Sequence, residues 1–184
     1  CYNEKNTIEK VVDQLNSLKI KKQIILVDDC SNDGTTEIIE NIKKKIDKVV
    51  FHKKNLGKGG AIKSAKPFIN GDYVVIQDAD LEYEPKNLIH MLNLMIDKKY
   101  NVLYGSRVLG GNRYIDNDNF TSFFRIFANH MLTMFSNIVN NQKLTDAHTC
   151  YKMFKKDIFN KIILKENGFS FCPEINTKVS NLNI

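Results

Sequence analysis

Arginine is scarce in this chain. Only Arg107, Arg113 and Arg125 occur among 27 basic residues, which stand against 21 acidic ones for a formal charge of +6 over 184 residues. A lysine surface spread over helix faces is no nucleic-acid footprint, which needs clustered charge; it suits an anionic small substrate or an acidic membrane surface. Cysteine is sparse too: Cys1, Cys30, Cys150 and Cys172 show neither CxxC nor Cys/His spacing. Free thiols in a reducing compartment are expected, not a zinc centre. No apolar run reaches the length of a membrane span, and no basic-then-apolar leader opens the sequence, so neither a span nor a secretory signal is expected. Internal repeats are missing. The fingerprints GxGxxG and GxxxxGK[ST] are absent, which disfavours dinucleotide binding and a P-loop ATPase.

What is present belongs to an ordinary globular domain, with 42% hydrophobic and 26% charged residues and enough length for one layered core. The first residue is not Met, and the closing PEINTKVSNLNI runs out without a helix stop. The expectation is a single domain over 1–184, truncated at both ends.

Apolar spacing predicts a helix from Asn6 to Leu18, a buried strand over Ile24–Val27 that ends in Asp28-Asp29, and a helix carrying Ile38, Ile39, Ile42 and Ile46. A strand over Val49–Phe51, a glycine turn over Gly57–Gly60 and a short helix over Ala61–Phe68 follow. Next come a strand over Tyr73–Ile76, a helix opening at Pro85 with Leu88, Leu92, Met95 and Ile96 on its inner face, and a strand over Asn101–Tyr104. Leu109–Asn119 reads as a mobile loop. Phe120–Val139 reads as a long helix whose wide apolar face belongs either to the core or to a lipid-like substrate or membrane. Strands alternating with helices predict an α/β fold, an open and mostly parallel sheet covered on both faces, with the ligand beyond the carboxyl ends of its strands. That rim gathers Asp28 and Asp29, Asp78 and Asp80, and Arg107.

Asp78 and Asp80 lie at i and i+2 of an extended segment, so both carboxylates can address one ion, and oxygen donors without His or Cys select Mg²⁺ or Mn²⁺. Glu82 either completes that shell or caps the helix at Pro85. Asp28 and Asp29 either accept from a base or ribose, or serve a cap and turn network with Ser31–Thr35. Lys58 points either to phosphate or to solvent. Arg107 offers a fork for phosphate or carboxylate, or forms a structural ion pair. Asp146 is a candidate base or orienting group; His52, His90, His130 and His148 show no ligand spacing.

The blocks CYNEKNTIEKV, IILVDDCSNDGT, KNLGKGGAIKSA, GDYVVIQDADLEYEP, VLYGSR, LTDAHTCYKMFKKDIF and FSFCPEI run in order over nearly the whole chain. They resemble those of family 2 glycosyltransferases, and among these the polyprenyl-phosphate sugar transferases related to dolichyl-phosphate mannose synthase. The resemblance implies the glycosyltransferase A fold and Mg²⁺ or Mn²⁺ as cofactor. It implies base and ribose contacts at Tyr2 and Glu4, a base-contacting carboxylate from Asp28 or Asp29, and a metal and diphosphate motif at Asp78, Ala79 and Asp80. Glu82 falls where the mannose synthases often carry a metal-contacting Gln. Arg107 falls near the transferred sugar or acceptor phosphate, Asp146 at an acidic active-site position, and Arg125 within reach of an acceptor phosphate. Two departures stand out: the strand that normally precedes the Tyr-Asn-Glu block is absent, and Asp146 lacks the usual Asp-Pro-x-Ser-Gly surroundings.

The implied division is a nucleotide-sugar and metal half over 1–107 and an acceptor half over 108–184. The implied reaction moves a sugar from a UDP- or GDP-sugar to a polyprenyl phosphate, on a cytoplasmic protein attached peripherally to the cytoplasmic face of a membrane, with no nucleic-acid partner. Two alternatives stay open: a hydroxyl acceptor in glycan synthesis, with Asp146 as base, and a nucleotide-binding domain without turnover.

Overall fold

The structure, a computed structural model, describes residues 1–109 and 120–182, and the side chains of all of these except 120–125. The expected mobile loop, beyond Leu109, and the side chains of Phe123, Phe124 and Arg125 lie outside the described residues.

Helix α1 (Ile8–Ser17) turns Ile8, Val11 and Val12 inward, and strand β1 (Ile25–Asp28) follows. Helix α2 (Thr35–Ile42) ends in a 3₁₀ turn over Lys43–Lys45, which brings Ile46 into the cluster that Ile8, Val12, Leu26, Ile39 and Ile42 form. Strand β2 (Lys48–Phe51) pairs with β1 in parallel, Ile25 opposite Lys48 and Asp28 opposite Phe51. The expected glycine turn is instead the first turn of helix α3 (Gly57–Ala65), which a 3₁₀ turn extends over Lys66–Phe68.

Strand β3 (Tyr73–Val75), helix α4 (Asn87–Asp97) and strand β4 (Val102–Tyr104) come next. On α4 the buried stripe is Leu88, Met91 and Met95, while Ile96 stays in solvent. Helix α5 (Phe120–Asn140) leads to strand β5 (Lys152–Lys155), helix α6 (Lys156–Lys161) and helix α7 (Phe171–Ser180). Periodicity did not announce β5. It runs antiparallel between β3 and β4, Val75 opposite Met153 and Tyr104 opposite Lys152.

Alternation along this second sheet divides the remaining core. Tyr73, Val75, Leu103 and Met153 pack with Leu88, Met91 and Met95 on one face; Val74, Val102, Tyr104 and Phe154 pack with Phe159, Ile162 and Ile175 on the other. Cover on both faces is why the short strands read as continuous apolar runs. Phe154 has no exposed surface, and its truncation to Ala would cost about 3–5 kcal/mol.

On α5 the inward side is polar. Thr133, Ser136 and Asn140 are buried, whereas Phe135 is 66% and Ile138 72% exposed. Bonds on this side are of two kinds: across the seam Ala147 N donates to Thr133 Oγ1 (3.2 Å), Ser180 Oγ to the backbone carbonyl of Asn140 (2.5 Å), and Asn137 bonds both the N–H and the C=O of Leu144, while within the helix Asn140 Nδ2 donates to Ser136 Oγ (3.2 Å).

Candidate active site

Four segments converge at one end of the strands. Cys1 N donates to Val27 O (2.7 Å) and Cys1 O accepts from Asp29 N (2.9 Å), so Cys1 lies in parallel register along β1 on the side away from β2. From there the 2–5 segment is laced to the 31–35 turn: Asn3 N donates to Ser31 Oγ (2.9 Å) and Glu4 N to Thr35 Oγ1 (2.8 Å). Tyr2 is 45% exposed on the rim. The Glu4 carboxylate accepts from Thr7 Oγ1 (2.6 Å). Three non-glycine residues of the rim, Asn3 (φ 56), Cys30 (φ 66) and Leu81 (φ 64), adopt left-handed backbone, a cost of about 1–2 kcal/mol each that folds retain where loops are held in demanding shapes.

Both carboxylates at the end of β1 are buried and internally satisfied. Asp28 Oδ1 accepts from Ser31 Oγ (2.5 Å) and Oδ2 from Thr36 Oγ1 (2.6 Å). Asp29 accepts from Leu56 N (2.8 Å) and Gly57 N (2.7 Å), and His52 Nδ1 lies 2.7 Å away. Asp29 thus caps α3 from 28 residues upstream. Burial opposes its charge; the His52 hydrogen bond and the two amides outweigh burial and hold it below its usual value. His52 Nε2 lies 2.8 Å from Ser64 Oγ. The row Ser64–His52–Asp29 has the connectivity of a hydrolytic triad, but its carboxylate is committed to helix amides. Of the two readings of this pair, the cap and turn network is the one the geometry displays.

The glycines of α3 answer to protein, not phosphate. Gly57 has φ 78, and a Cβ there would come within 2.7 Å of Asn167 O; one on Gly59 would meet Glu166 O at 2.4 Å. Gly60 N donates to Asn167 O (2.9 Å). Lys58 is turned inward and pairs with Asp78 rather than solvent. Burial disfavours its ammonium, but Asp78 more than compensates and raises its pKa.

The expected metal trio does not assemble. Asp78 faces Lys58, exposed Asp80 accepts from Glu82 N (2.9 Å), and Glu82 Oε1 accepts from Arg107 Nη1 (3.1 Å). Among the described residues no group of three His, Cys, Asp or Glu stands close enough to hold an ion. Glu82 is drawn off by the guanidinium. Asp78 and Asp80 keep the hard-oxygen character a divalent ion needs, and an ammonium already lies against Asp78. Ala79 packs on the first core cluster.

Arg107 Nε donates to Asp146 Oδ2 (2.7 Å) and Nη2 to Oδ1 (3.1 Å). The Asp146 side chain is 0% exposed and that of Glu82 45%. Burial raises the Asp146 pKa, and the Arg107 hydrogen bonds override it, leaving the carboxyl below its usual range. A covered, doubly bonded carboxylate is a poor free base; Asp146 orients Arg107. The two loops are joined by Tyr83 stacked on Tyr151 at 4.9 Å and by Tyr83 Oη 3.3 Å from Thr149 Oγ1.

Sequence reasoning passed over three groups. His52 directly follows β2 at the rim end, a usable signal. Lys152, 0% exposed, donates to Thr149 O and Ala147 O beneath the Asp146 loop, and nothing in KMFK announces that burial. The Cys150–Cys172 pair needed the fold to appear.

Comparison with known proteins fits this arrangement. Poly-beta-1,6-N-acetyl-D-glucosamine synthase of Staphylococcus aureus is 35% identical over 109 residues, 58% of this chain and 26% of that protein. The chain therefore spans about a quarter of that relative's length. S. aureus TarS 1–349 in complex with UDP superposes with a TM-score of 0.64 at 20% identity, over 99% of this chain and 53% of that one. Glucosyl-3-phosphoglycerate synthase of Mycobacterium tuberculosis, in complex with Mn²⁺, UDP and glucosyl-3-phosphoglycerate, gives 0.65 at 18% identity, over 94% and 60%. The fold is that of the glycosyltransferase A nucleotide-sugar transferases. Residues 1–163 match the Glycosyl transferase family 2 model, and the chain belongs to that family.

Proposed function

We propose that the protein transfers a sugar from a nucleotide-diphospho-sugar to a hydroxyl of a saccharide or similar neutral acceptor. The observation that carries the acceptor class is the state of Arg107. Its Nε, Nη1 and Nη2 are all engaged, by Asp146 and Glu82. A phosphate acceptor would have to displace them and then face Asp80, Glu82 and Asp146, whereas a neutral hydroxyl meets no such repulsion. The synthase relative, named for a poly-N-acetylglucosamine product, and the TarS complexes with UDP and UDP-GlcNAc support the donor class and a glycan acceptor.

In this reading Tyr2, Glu4 and the 28–35 turn receive the nucleoside, and Lys58 directs its charge toward the diphosphate. Asp78 and Asp80 would hold Mg²⁺ or Mn²⁺, which supplies positive charge as the diphosphate leaves. Glu82, the exposed carboxylate of the Arg107 cluster, takes the acceptor proton as the hydroxyl oxygen bonds the anomeric carbon. Asp146 fixes Arg107 from behind, and Arg107 holds Glu82.

A polyprenyl phosphate acceptor at a membrane face is the second reading, favoured by the outward apolar face of α5, where Phe127, Met134, Phe135, Ile138 and Val139 are exposed. Nucleoside diphosphate release from UDP- and GDP-sugars, measured with soluble saccharides and with polyprenyl phosphate, separates the two. Saccharide-dependent release is expected. Release that depends on polyprenyl phosphate alone overturns the acceptor assignment and leaves the donor intact.

A further inference from the structure

Two of the four free thiols meet. Cys150, between the Asp146 loop and β5, and Cys172, in the first turn of α7, hold their Sγ atoms 3.9 Å apart across 22 residues. Cys172 is only 4% exposed, whereas Cys150 is partly open and gives small reagents an approach. Two ammonium groups and one carboxylate lie around them, Lys58 being paired with Asp78. Lys58 Nζ stands 5.9 Å from the ring centre of Phe171, next to Cys172, and Lys152 donates to the carbonyl of Thr149, next to Cys150. The Cys150 hydrogen bond, with Lys152 and Lys58 nearby, lowers the Cys172 pKa against burial, while the same hydrogen bond raises that of Cys150. Thiols beside cations are the reactive ones, because the thiolate is the nucleophile.

We propose that Cys150 and Cys172 are an oxidation site at which a peroxide converts the two thiols to a disulfide, and that this bond weakens donor binding at the adjoining Lys58–Asp78 pair. One thiolate attacks a peroxide oxygen; an S–O bond forms, the O–O bond breaks, and the departing hydroxide is protonated to water. The second thiolate attacks the sulfenic sulfur; the S–S bond forms, the S–O bond breaks and a second water leaves. The sulfurs together lose two electrons and the peroxide gains them. The sulfurs must close by about 1.8 Å to reach bonding distance, a shift within the span of side-chain rotation.

The link to the donor passes through Lys58. Its ammonium pairs with Asp78 and lies 5.9 Å from the ring centre of Phe171, the residue before Cys172. Closing the sulfurs draws the first turn of α7 and the Cys150 segment together beside this pair, so oxidation leaves both groups less open to a diphosphate. This consequence rests on the proposed donor reading; the disulfide does not.

The test treats the reduced chain with hydrogen peroxide, maps disulfides by peptide mass spectrometry after alkylation, and titrates UDP and GDP by calorimetry before and after. A Cys150–Cys172 cross-link is expected, with nucleotide affinity lowered about tenfold or more, the scale of one charge-assisted contact, and restored by dithiothreitol. Cys172→Ser and, independently, Cys150→Ser should bind nucleotide before and after peroxide as the reduced protein does. Oxidation confined to Cys1 or Cys30 overturns the site, and a cross-link with unchanged affinity overturns its coupling to the donor. Failure of the reduced chain to bind either nucleotide would fall on the donor reading, and the mapped cross-link would still decide the site.

Discussion

The two sides of the rim are held by different means. On the nucleotide side, Asp28, Asp29 and Glu4 are tied by hydroxyls, amides and one imidazole, several carboxylate bonds spread over many neutral donors. On the acceptor side, Asp146 and Glu82 share one guanidinium, 39 residues before Asp146, and Asn129 Nδ2 also lies 3.4 Å from Asp146 Oδ1. One side is a distributed lattice that tolerates the loss of a member. The other is a keystone arrangement, in which removal of one group takes the opposite charge from two carboxylates at once.

The largest expected effect tests that keystone. Arg107→Ala takes the cation from a fully covered carboxylate, which keeps Asn129 Nδ2 at 3.4 Å among its contacts, and should destabilise the fold by about 3 kcal/mol in urea titrations, with Arg107→Met/Asp146→Leu recovering most of the loss. A cost under about 1 kcal/mol would show that the acceptor side is distributed too. Next in size are the chemical groups. Asp80→Asn and Glu82→Gln should each lower turnover by about 10²-fold, the first by removing a metal ligand and the second a base. Asp146→Asn, which keeps the shape but weakens the hold on Arg107, should be the milder change. Nucleoside diphosphate release ranks the three, and equal losses at Asp146 and Glu82 would return the base to Asp146.

On the nucleotide side Asp29→Ala orphans two amides and His52 and should cost about 2–3 kcal/mol, against about 1–2 kcal/mol for Asp28→Ala, whose partners are two hydroxyls and the Ser31 N–H. The pH dependence of stability should divide the same way. Asp29 is depressed below 3.8, so its contribution is complete above the unfolded value and is lost only as pH falls through the lower folded one. His148 on the acceptor side is depressed below 6.5, mainly by burial. Its contribution is full above 6.5 and declines as pH falls toward its folded value, so that side should weaken first on acidification. His148→Gln should flatten the shallow slope below pH 6.5 and leave the acid limb near pH 4 in place. The smallest effect is Cys30→Gly or Leu81→Gly, each expected to gain about 1 kcal/mol or less by relieving left-handed backbone.

Much of the nucleotide side was legible because its signals are local. Ile24–Val27 and Tyr73–Ile76 are apolar runs ended by acids, and the structure places strands there within a residue. Arg107 was conspicuous through its rarity. Long-range partners decide the rest. Gly57–Gly60 has the composition of a turn, yet Asp29 caps it into a helix. KMFK carries lysine at both ends, and only β3 and β4 on either side force Lys152 inside. The α5 periodicity identified an apolar face and left open whether it is core. Thr133 faces inward toward Ala147 N, a partner elsewhere in the chain, and Ser136 and Asn140 pair with each other on the same side. The ligand trio at Asp78, Asp80 and Glu82 was reasonable by spacing, and the guanidinium that separates Glu82 from it lies 25 residues on.

The placement of β5 also sets a timetable for the nascent protein. Among the described residues the strands that lead to Asp78 and to Arg107 share no edge; each pairs only with β5. A ribosome that has finished Tyr104 must still add the segment up to Lys152, about 2–10 s of elongation at ordinary rates. Until then two short strands wait with open edges, the state in which β structure is most exposed to mispairing. Asp78 and Arg107 are thus translated early and aligned late, and a chain interrupted before Lys152 would carry both without the strand that aligns them.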